Sequence, residues 1–109
     1  MTAGAPAPRA SALRLAYLPC AWGRLSYGDR PGAGMPLVLL HGTGCDIPDW
    51  ASFIEAMPRD ARIIAAEFRG HGQSDTPSGS FTLHELADDV EQLLAHLGIA
   101  RAVLLGHSL

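Results

Sequence analysis

The last four residues of the chain, Gly106-His107-Ser108-Leu109, carry its clearest chemical signal. They follow the apolar run Ala102-Val103-Leu104-Leu105, which predicts a buried strand. A strand followed by Gly-x-Ser is typical of a nucleophile elbow, where a serine lies on a strained turn with its hydroxyl exposed. The sequence therefore predicts that Ser108 is a nucleophile and that Gly106 leaves room for the bend.

A nucleophile elbow has a second glycine two positions after the serine, which would be one position beyond Leu109. We therefore expect the 109 residues to be the N-terminal part of a longer domain. A serine hydroxyl also needs a general base and a group that orients this base. Neither group can be identified from the sequence of this chain.

A second glycine-rich turn, His41-Gly42-Thr43-Gly44, ends another apolar run. If the two runs are neighbouring parallel strands, their loops meet at one edge of the sheet, where ligands bind in open α/β folds. The backbone N–H groups of Thr43 and Leu109 would then point at the same spot beside Ser108. Two such donors converging on one oxygen form an oxyanion hole.

The remaining pattern predicts elements that would bring the two turns together. Residues 13–17 and 22–27 indicate an antiparallel strand pair, separated at Pro19 and closed by the turn residues 28–32. Strands and helices then alternate in the order β-α-β-α-β over residues 36–41, 46–57, 63–68, 83–97 and 102–105. Because each helix is long enough for a right-handed crossover, we expect an α/β fold with parallel strands and helices on their faces.

Local signals define the ends of both predicted helices. Asp46 is expected to cap the first helix, and Thr82 with Glu85 forms a capping box at the start of the second. Gly98 is placed to end the second helix. Its acidic residues are expected to form a solvated face rather than a metal site: Glu85, Asp88, Asp89 and Glu91.

Composition excludes several classes of partner. A net charge of −3 is too small to indicate nucleic acid or an anionic membrane as a partner. No run of about 18 apolar residues is present, so no transmembrane helix is expected. Cys20 and Cys45 are too few for a disulfide framework, which favours free thiols in a reducing, cytoplasmic compartment. The sequence does not indicate an oligomeric state.

The chain is long enough for one small domain with a core, since 48% of its residues are hydrophobic. Residues 1–12 are rich in alanine and proline, and we expect them to form a flexible tail. Residues 13–109 are then the N-terminal portion of one domain.

Three blocks together resemble the N-terminal half of the α/β-hydrolase fold superfamily, from about Trp22 to Leu109. They are residues 41–44, 69–75 and 106–109, and they occur in the order and at the spacing of that family. The resemblance implies that Ser108 is the nucleophile, with Thr43 and Leu109 as the oxyanion donors. It also implies that the strand ending at His41 lies directly beside the strand ending at Gly106.

The family order of the catalytic triad is Ser, then Asp or Glu, then His, which places the acid and the base beyond Leu109. One departure is visible, because relatives usually carry Asp where Glu67 stands. The resemblance also argues against haloalkane dehalogenases and related epoxide hydrolases, which use Asp at the position of Ser108.

The loop residues have simpler structural interpretations. His41 is expected to fix its loop by hydrogen bonds, with Gly42 and Gly44 shaping the turn. His71 and Ser74 are expected to make loop hydrogen bonds. A dinucleotide fingerprint at Gly42-Thr43-Gly44 is disfavoured because Ile47 occupies the position of the third glycine.

The sequence and the resemblance together predict a serine hydrolase that cleaves an ester, a lactone or a related carbonyl substrate through an acyl-enzyme. The expected partner is a small-molecule substrate, and neither a cofactor nor a metal is needed. Acyl transfer or perhydrolysis on the same fold is one alternative. A non-catalytic truncated product is the other, and the 109 residues alone are expected to be inactive.

Overall fold

The structure is a computed structural model that describes residues 13–108. The predicted tail at residues 1–12 and the predicted donor Leu109 therefore lie outside the described residues. The strands are β1 (Arg14–Cys20), β2 (Gly23–Arg30), β3 (Ala33–Leu40), β4 (Ala61–Ala66) and β5 (Val103–Gly106). The helices are a 3-10 turn (Ile47–Trp50), α1 (Ala51–Ala56) and α2 (Leu83–His96).

The five strands form one mixed sheet in the order β1-β2-β4-β3-β5. β1 pairs antiparallel with β2, and β2 pairs antiparallel with β4. β3 lies between β4 and β5 and is parallel to both. The predicted α/β class and strand directions are therefore confirmed, as is the neighbouring position of the strands that end at residues 40 and 106.

The core lies on both faces of the central strands, because successive side chains of a strand point to opposite faces. Leu39 and Ile63 pack on the face that carries Ile54 of α1. Val38 and Ile64 pack on the other face in a cluster that includes Leu93 of α2. This two-sided burial explains why β3 and β4 have continuous apolar runs rather than alternating ones.

The ends of α2 follow the predicted local signals. Thr82 is the N-cap residue, and its hydroxyl accepts a hydrogen bond from the Glu85 N–H at 3.1 Å. The Glu85 carboxylate in turn accepts a bond from the Thr82 N–H at 2.8 Å. Gly98, with φ of +69°, follows the C-cap residue Leu97.

The first predicted helix is shorter than expected, since its first turn is 3-10 and α1 ends at Ala56.

The N-terminal hairpin differs from the prediction at both of its turns. Pro19 does not separate the strands but lies within β1, where it is paired with Arg24. β1 is an edge strand, and an edge strand tolerates a residue without an N–H group. Residues 28–30 continue β2 rather than closing it, and Arg30 is completely buried. Its guanidinium donates to the carbonyl oxygens of Pro58 and Ala61, which holds β2 against the connection before β4.

Two predictions of burial are wrong. β5 was expected to be a buried strand, but Val103 and Leu104 are 53% and 54% exposed, because β5 is the last described strand at this edge and its side chains join none of the hydrophobic clusters of residues 13–108. Asp89 was assigned to a solvated face, but it is completely buried. Its carboxylate accepts hydrogen bonds from the Arg69 guanidinium at 2.8 and 3.1 Å and from the Trp22 indole at 3.1 Å.

No helix within residues 13–108 is long and apolar enough to cross a membrane.

Candidate active site

The backbone turns sharply at the end of β5. The His107 N–H donates to the Leu40 carbonyl at 3.0 Å and so extends the pairing of β5 with β3. The next residue, Ser108, has φ of +46° and is the one non-glycine residue with positive φ in residues 13–108. This left-handed conformation costs a residue with a Cβ about 1–2 kcal/mol, so the surrounding structure must hold it. The Ser108 side chain is exposed at this turn.

Gly42 packs directly against the backbone of that turn. A Cβ atom placed on Gly42 would overlap the carbonyl oxygens of His107 and Ser108. The φ of Gly42 is not in the positive range, so close packing rather than backbone freedom requires glycine here. The loop after β3 and the turn after β5 are thus in contact, as the strand order requires.

Residues 42–45 form a reverse turn that presents the Thr43 amide. The Cys45 N–H donates to the Gly42 carbonyl at 3.0 Å, and Gly44 has φ of +80°. Positive φ at the third residue is characteristic of a type II turn and requires glycine. Within residues 13–108 no hydrogen bond uses the Thr43 N–H, and Thr43 is exposed. The amide is therefore available to a ligand.

His41 fixes this turn by hydrogen bonds, as predicted. Its Nδ1 lies 2.7 Å from the Gly42 carbonyl oxygen, and its Nε2 lies 2.9 Å from the Phe68 N–H. Because Phe68 N–H can only donate, Nε2 is the acceptor and Nδ1 carries the proton that is donated to Gly42. The ring is therefore neutral and has both nitrogens engaged. Burial lowers the pKa of His41 below its ordinary value, and the nearby His71 ring acts in the same direction.

An open pocket of about 190 Å³ lies beside His41 and Ser108. Its lining residues come from the ends of β3, β4 and β5: Leu40, His41, Phe68, Gly106, His107 and Ser108. Most of the lining is apolar, with the Ser108 turn at one side. The pocket thus borders Ser108, whereas Gly42 and Thr43 are not among its lining residues.

The described histidines near the pocket are engaged in other contacts. The Nδ1 atom of His71 lies 3.0 Å from the Arg69 carbonyl oxygen. The His107 ring packs edge-on against the Trp50 ring, with the two ring centroids 6.4 Å apart. Ser74 accepts from the Ser26 N–H at 2.7 Å and donates to the Glu67 carbonyl at 2.6 Å. The predicted loop roles of His71 and Ser74 are confirmed.

Sequence reasoning missed part of the support of these loops. Glu67 was noted only as a departure from the family pattern, yet its buried carboxylate joins two loops, to Ile47 N–H at 2.8 Å and Gln73 N–H at 2.9 Å. Arg69 lies over the Trp22 ring at 4.9 Å and pairs with Asp89 across 20 residues of sequence. Asp89 lies three residues after Leu86 and four before Leu93, so the helical period places it on the buried stripe, a signal that the sequence analysis missed.

Comparison with known proteins decides the family. The family model described as alpha/beta hydrolase fold matches residues 35–109, more than half of the chain. The chain belongs to the alpha/beta hydrolase family.

Its relatives in the family are enzymes of different kinds. A dihydrolipoyllysine-residue acetyltransferase component of the acetoin cleaving system of Pseudomonas putida is 43% identical over 76 residues, which are 70% of this chain and 20% of that protein. A soluble epoxide hydrolase of Corynebacterium sp. (strain C12) is 38% identical over 76 residues, 70% of this chain and 27% of that protein. The structure of the enol-lactonase from Burkholderia xenovorans LB400 matches with a TM-score of 0.77 and 32% identity, over 84% of this chain and 36% of that chain.

This hydrolase-fold chain therefore spans only about a fifth to a third of the length of these relatives. Residues 35–109, which the family model matches, contain the loop after β3 and the turn after β5.

The packing of Gly42 against the Ser108 turn predicts the effect of two alanine substitutions. In Gly42→Ala, the new Cβ overlaps two carbonyl oxygens, and we expect the free energy of unfolding to fall by about 1–3 kcal/mol. Gly106→Ala is the matched control because a Cβ there meets no atom of residues 13–108 within 4 Å and its φ is not positive, so the expected need for glycine at this bend is not seen among these residues. Its effect should stay within about 0.5 kcal/mol. Urea unfolding measures the free energy of unfolding of both variants. An equal loss of stability in the two variants would contradict the contact between Gly42 and the Ser108 turn.

The neutral His41 ring predicts a pH dependence of stability. Because its pKa is lower in the folded than in the unfolded chain, the unfolded chain binds the proton first as the pH falls. The stabilisation is thus complete above about pH 6.5 and is lost as the pH falls toward the folded pKa. We expect His41→Asn to remove this part of the pH dependence between pH 7 and 5, measured by urea unfolding.

The exposed His84 of α2 provides the control for that experiment. His84→Asn should leave the decline in stability below pH 6.5 as it is in the unmodified chain. If the stability of His41→Asn declines below pH 6.5 as much as that of the unmodified chain, His41 is not the source of the pH dependence.

Proposed function

We propose that this chain carries the nucleophile and the oxyanion loop of a serine hydrolase acting on an ester, a lactone or a related carbonyl compound. The observation that carries the proposal is the strained Ser108 at the end of β5, directly against the turn that presents the free Thr43 N–H. Strain at an exposed serine, a neighbouring free amide and an apolar pocket fit acyl transfer chemistry. None of these features is needed for packing alone.

The proposed reaction proceeds through an acyl-enzyme. Ser108 Oγ attacks the carbonyl carbon of the substrate while its proton passes to a general base, and the carbonyl π electrons move to oxygen. The Thr43 N–H, with the Leu109 N–H predicted as its partner, stabilises this oxyanion. Collapse of the tetrahedral intermediate expels the alcohol, which takes up the proton. Water then attacks the acyl-enzyme in the same way and releases the acid.

The proposal places the general base and its orienting acid outside this chain. Both nitrogens of His41 are occupied, and the described histidines near the pocket contact other groups. The family order Ser, Asp or Glu, His agrees with this placement. The 109 residues alone are accordingly proposed to be inactive, since a serine without a base is a poor nucleophile.

Two observations guide the substrate class. The match to an enol-lactonase supports a carbonyl substrate with an apolar portion, which suits the pocket beside Phe68 and Leu40. The chain is also similar to an epoxide hydrolase. Epoxide opening is not proposed, because position 108 carries serine, whereas the resemblance implies aspartate there for epoxide hydrolases. We also propose that the substrate is a small cytoplasmic molecule and that the reaction needs neither a metal nor an organic cofactor.

Acyl transfer to an acceptor other than water is the second candidate. The similarity to a protein named as an acetyltransferase component supports it. The proposed acyl-enzyme on Ser108 would be common to hydrolysis and to acyl transfer. The two candidates differ only in what attacks the acyl-enzyme. Product analysis with and without an added alcohol or hydrogen peroxide as acceptor separates them, since a transferase diverts most of the acyl group to that acceptor.

The proposal is tested by ester hydrolysis in the polypeptide encoded by the whole reading frame that contains these residues. Ser108→Ala should lower kcat for p-nitrophenyl acetate by at least about 10⁴-fold, because the covalent step is lost. A fluorophosphonate probe should label Ser108 of the unmodified polypeptide, as located by mass spectrometry. Retention of hydrolysis in Ser108→Ala would overturn the assignment of the nucleophile.

The second part of the experiment assays the 109-residue chain under the same conditions as the longer polypeptide. It should hydrolyse the ester no faster than its own Ser108→Ala variant, because it lacks a base. Turnover that depends on Ser108 in this chain alone would show that a described residue serves as the base.

A further inference from the structure

We propose that Glu67 is a positioning residue that sets the Thr43 amide, acting through the start of the 3-10 turn at Ile47. This inference rests on the proposed function, because Thr43 matters only if its N–H stabilises an oxyanion. Glu67 follows β4 directly and is 2% exposed. Its carboxylate is therefore held in a defined place under the two loops that follow β3 and β4.

The carboxylate of Glu67 binds one N–H group from each loop. Oε2 accepts from the Ile47 N–H at 2.8 Å, and Oε1 accepts from the Gln73 N–H at 2.9 Å. No arginine within residues 13–108 forms an ion pair with this carboxylate. A buried carboxylate bound by N–H donors has strongly preferred geometry, because each lost bond leaves a buried polar group unsatisfied.

Two consecutive residues, Glu67 and Phe68, hold the two ends of the turn that presents Thr43. On one side, the Phe68 N–H binds His41, whose Nδ1 in turn binds the Gly42 carbonyl. On the other side, Glu67 binds the Ile47 N–H, two residues after the Cys45 N–H that closes the turn. The end of β4 thus supports the loop of the neighbouring strand β3 from two directions.

Gly72 keeps the carboxylate of Glu67 in this place. A Cβ atom on Gly72 would overlap all three carboxyl atoms of Glu67. The backbone at Gly72, with φ of +53°, crosses directly over the carboxylate and leaves it no room to move outward. The Glu67 side chain reaches the Ile47 N–H while Gly72 confines its carboxylate.

The inference is tested by amide hydrogen exchange of this chain, followed residue by residue by NMR. In Glu67→Gln one acceptor oxygen is replaced by a donor and the negative charge is removed, so one of the two hydrogen bonds is lost and the other is weakened. We expect exchange of the Ile47 and Gln73 amides to accelerate about tenfold or more. The Cys45 amide, which reports on the Thr43 turn, should accelerate with them. The Leu97 amide, bonded within α2 to Leu93, should change less than about twofold.

Three results would overturn the positioning role. If Ile47 and Gln73 accelerate while Cys45 does not, Glu67 holds its own partners and not the turn. If Leu97 accelerates as much as Cys45, the variant has lost global stability only. If no amide changes, the carboxylate is not holding either loop. None of these readouts depends on activity, so they are distinct from a failure of the proposed hydrolase function.

A second pair of variants covers the case in which Glu67→Gln does not fold. Gly72→Ala displaces the Glu67 carboxylate, and we expect the Cys45 amide to exchange about tenfold faster. Gly70→Ala is the matched control, because Gly70 also has positive φ, +75°, but a Cβ there only approaches the Thr76 side chain at 3.8 Å. The same acceleration of Cys45 in both variants would assign the effect to backbone strain and contradict the inference.

Discussion

The contact between Gly42 and the backbone of His107 and Ser108 is the constraint on which the candidate site depends. It exists because β3 and β5 are adjacent, parallel and in a register that pairs Leu40 with Gly106. Both strands therefore end at the same level, and the chain leaves each of them into a tight turn. Glycine at position 42 allows the two turns to touch. A shift of register by one residue would separate the Thr43 amide from Ser108 and reverse the faces of β5.

The loop after β4 supplies the second layer of support. Glu67 and Phe68 hold the loop of β3 through Ile47 and His41, while the backbone of Glu67 is bonded to Ser26 of β2. Three neighbouring strands thus contribute to the position of one amide. This arrangement suits a group that must be in place before charge develops, since preorganised donors need no rearrangement during the reaction. In our proposal the strain at Ser108 and the order of these loops serve that purpose.

Local and periodic features of the fold could be predicted from sequence. The capping box of Thr82 and Glu85 involves residues three apart, so its signal is complete within one turn of helix. The apolar runs of β3 and β4 predicted strands buried on both faces, and their parallel order followed from the helices between them. The adjacency of β3 and β5 came from the family resemblance and is confirmed by the pairing of Leu40 with Gly106.

Features that depend on distant partners could not be predicted. Asp89 pairs with Arg69 and Trp22, which are 20 and 67 residues away. Its spacing from Leu86 and Leu93 indicates the buried face of α2, but the distant partners that allow an acid to be buried there have no local signal. Arg30 is buried because distant backbone carbonyls accept its donors, although arginine in a turn-like sequence suggests solvent. The exposure of β5 depends on its edge position, which a run of apolar residues does not reveal. The carboxylate of Glu67 likewise acquires its role only from Ile47, 20 residues away.

The most direct measurement is of kcat for ester hydrolysis in the Thr43→Pro variant of the polypeptide encoded by the whole reading frame. Proline is favoured at the second position of a type II turn, so this change removes the N–H and preserves the turn. Thr43→Ala keeps the N–H and is the control. Our account predicts that kcat falls about 10²- to 10³-fold in Thr43→Pro and stays near the unmodified value in Thr43→Ala. Full activity in Thr43→Pro, or an equal loss in both variants, would contradict the proposed meeting of Thr43 and Ser108 at one oxyanion.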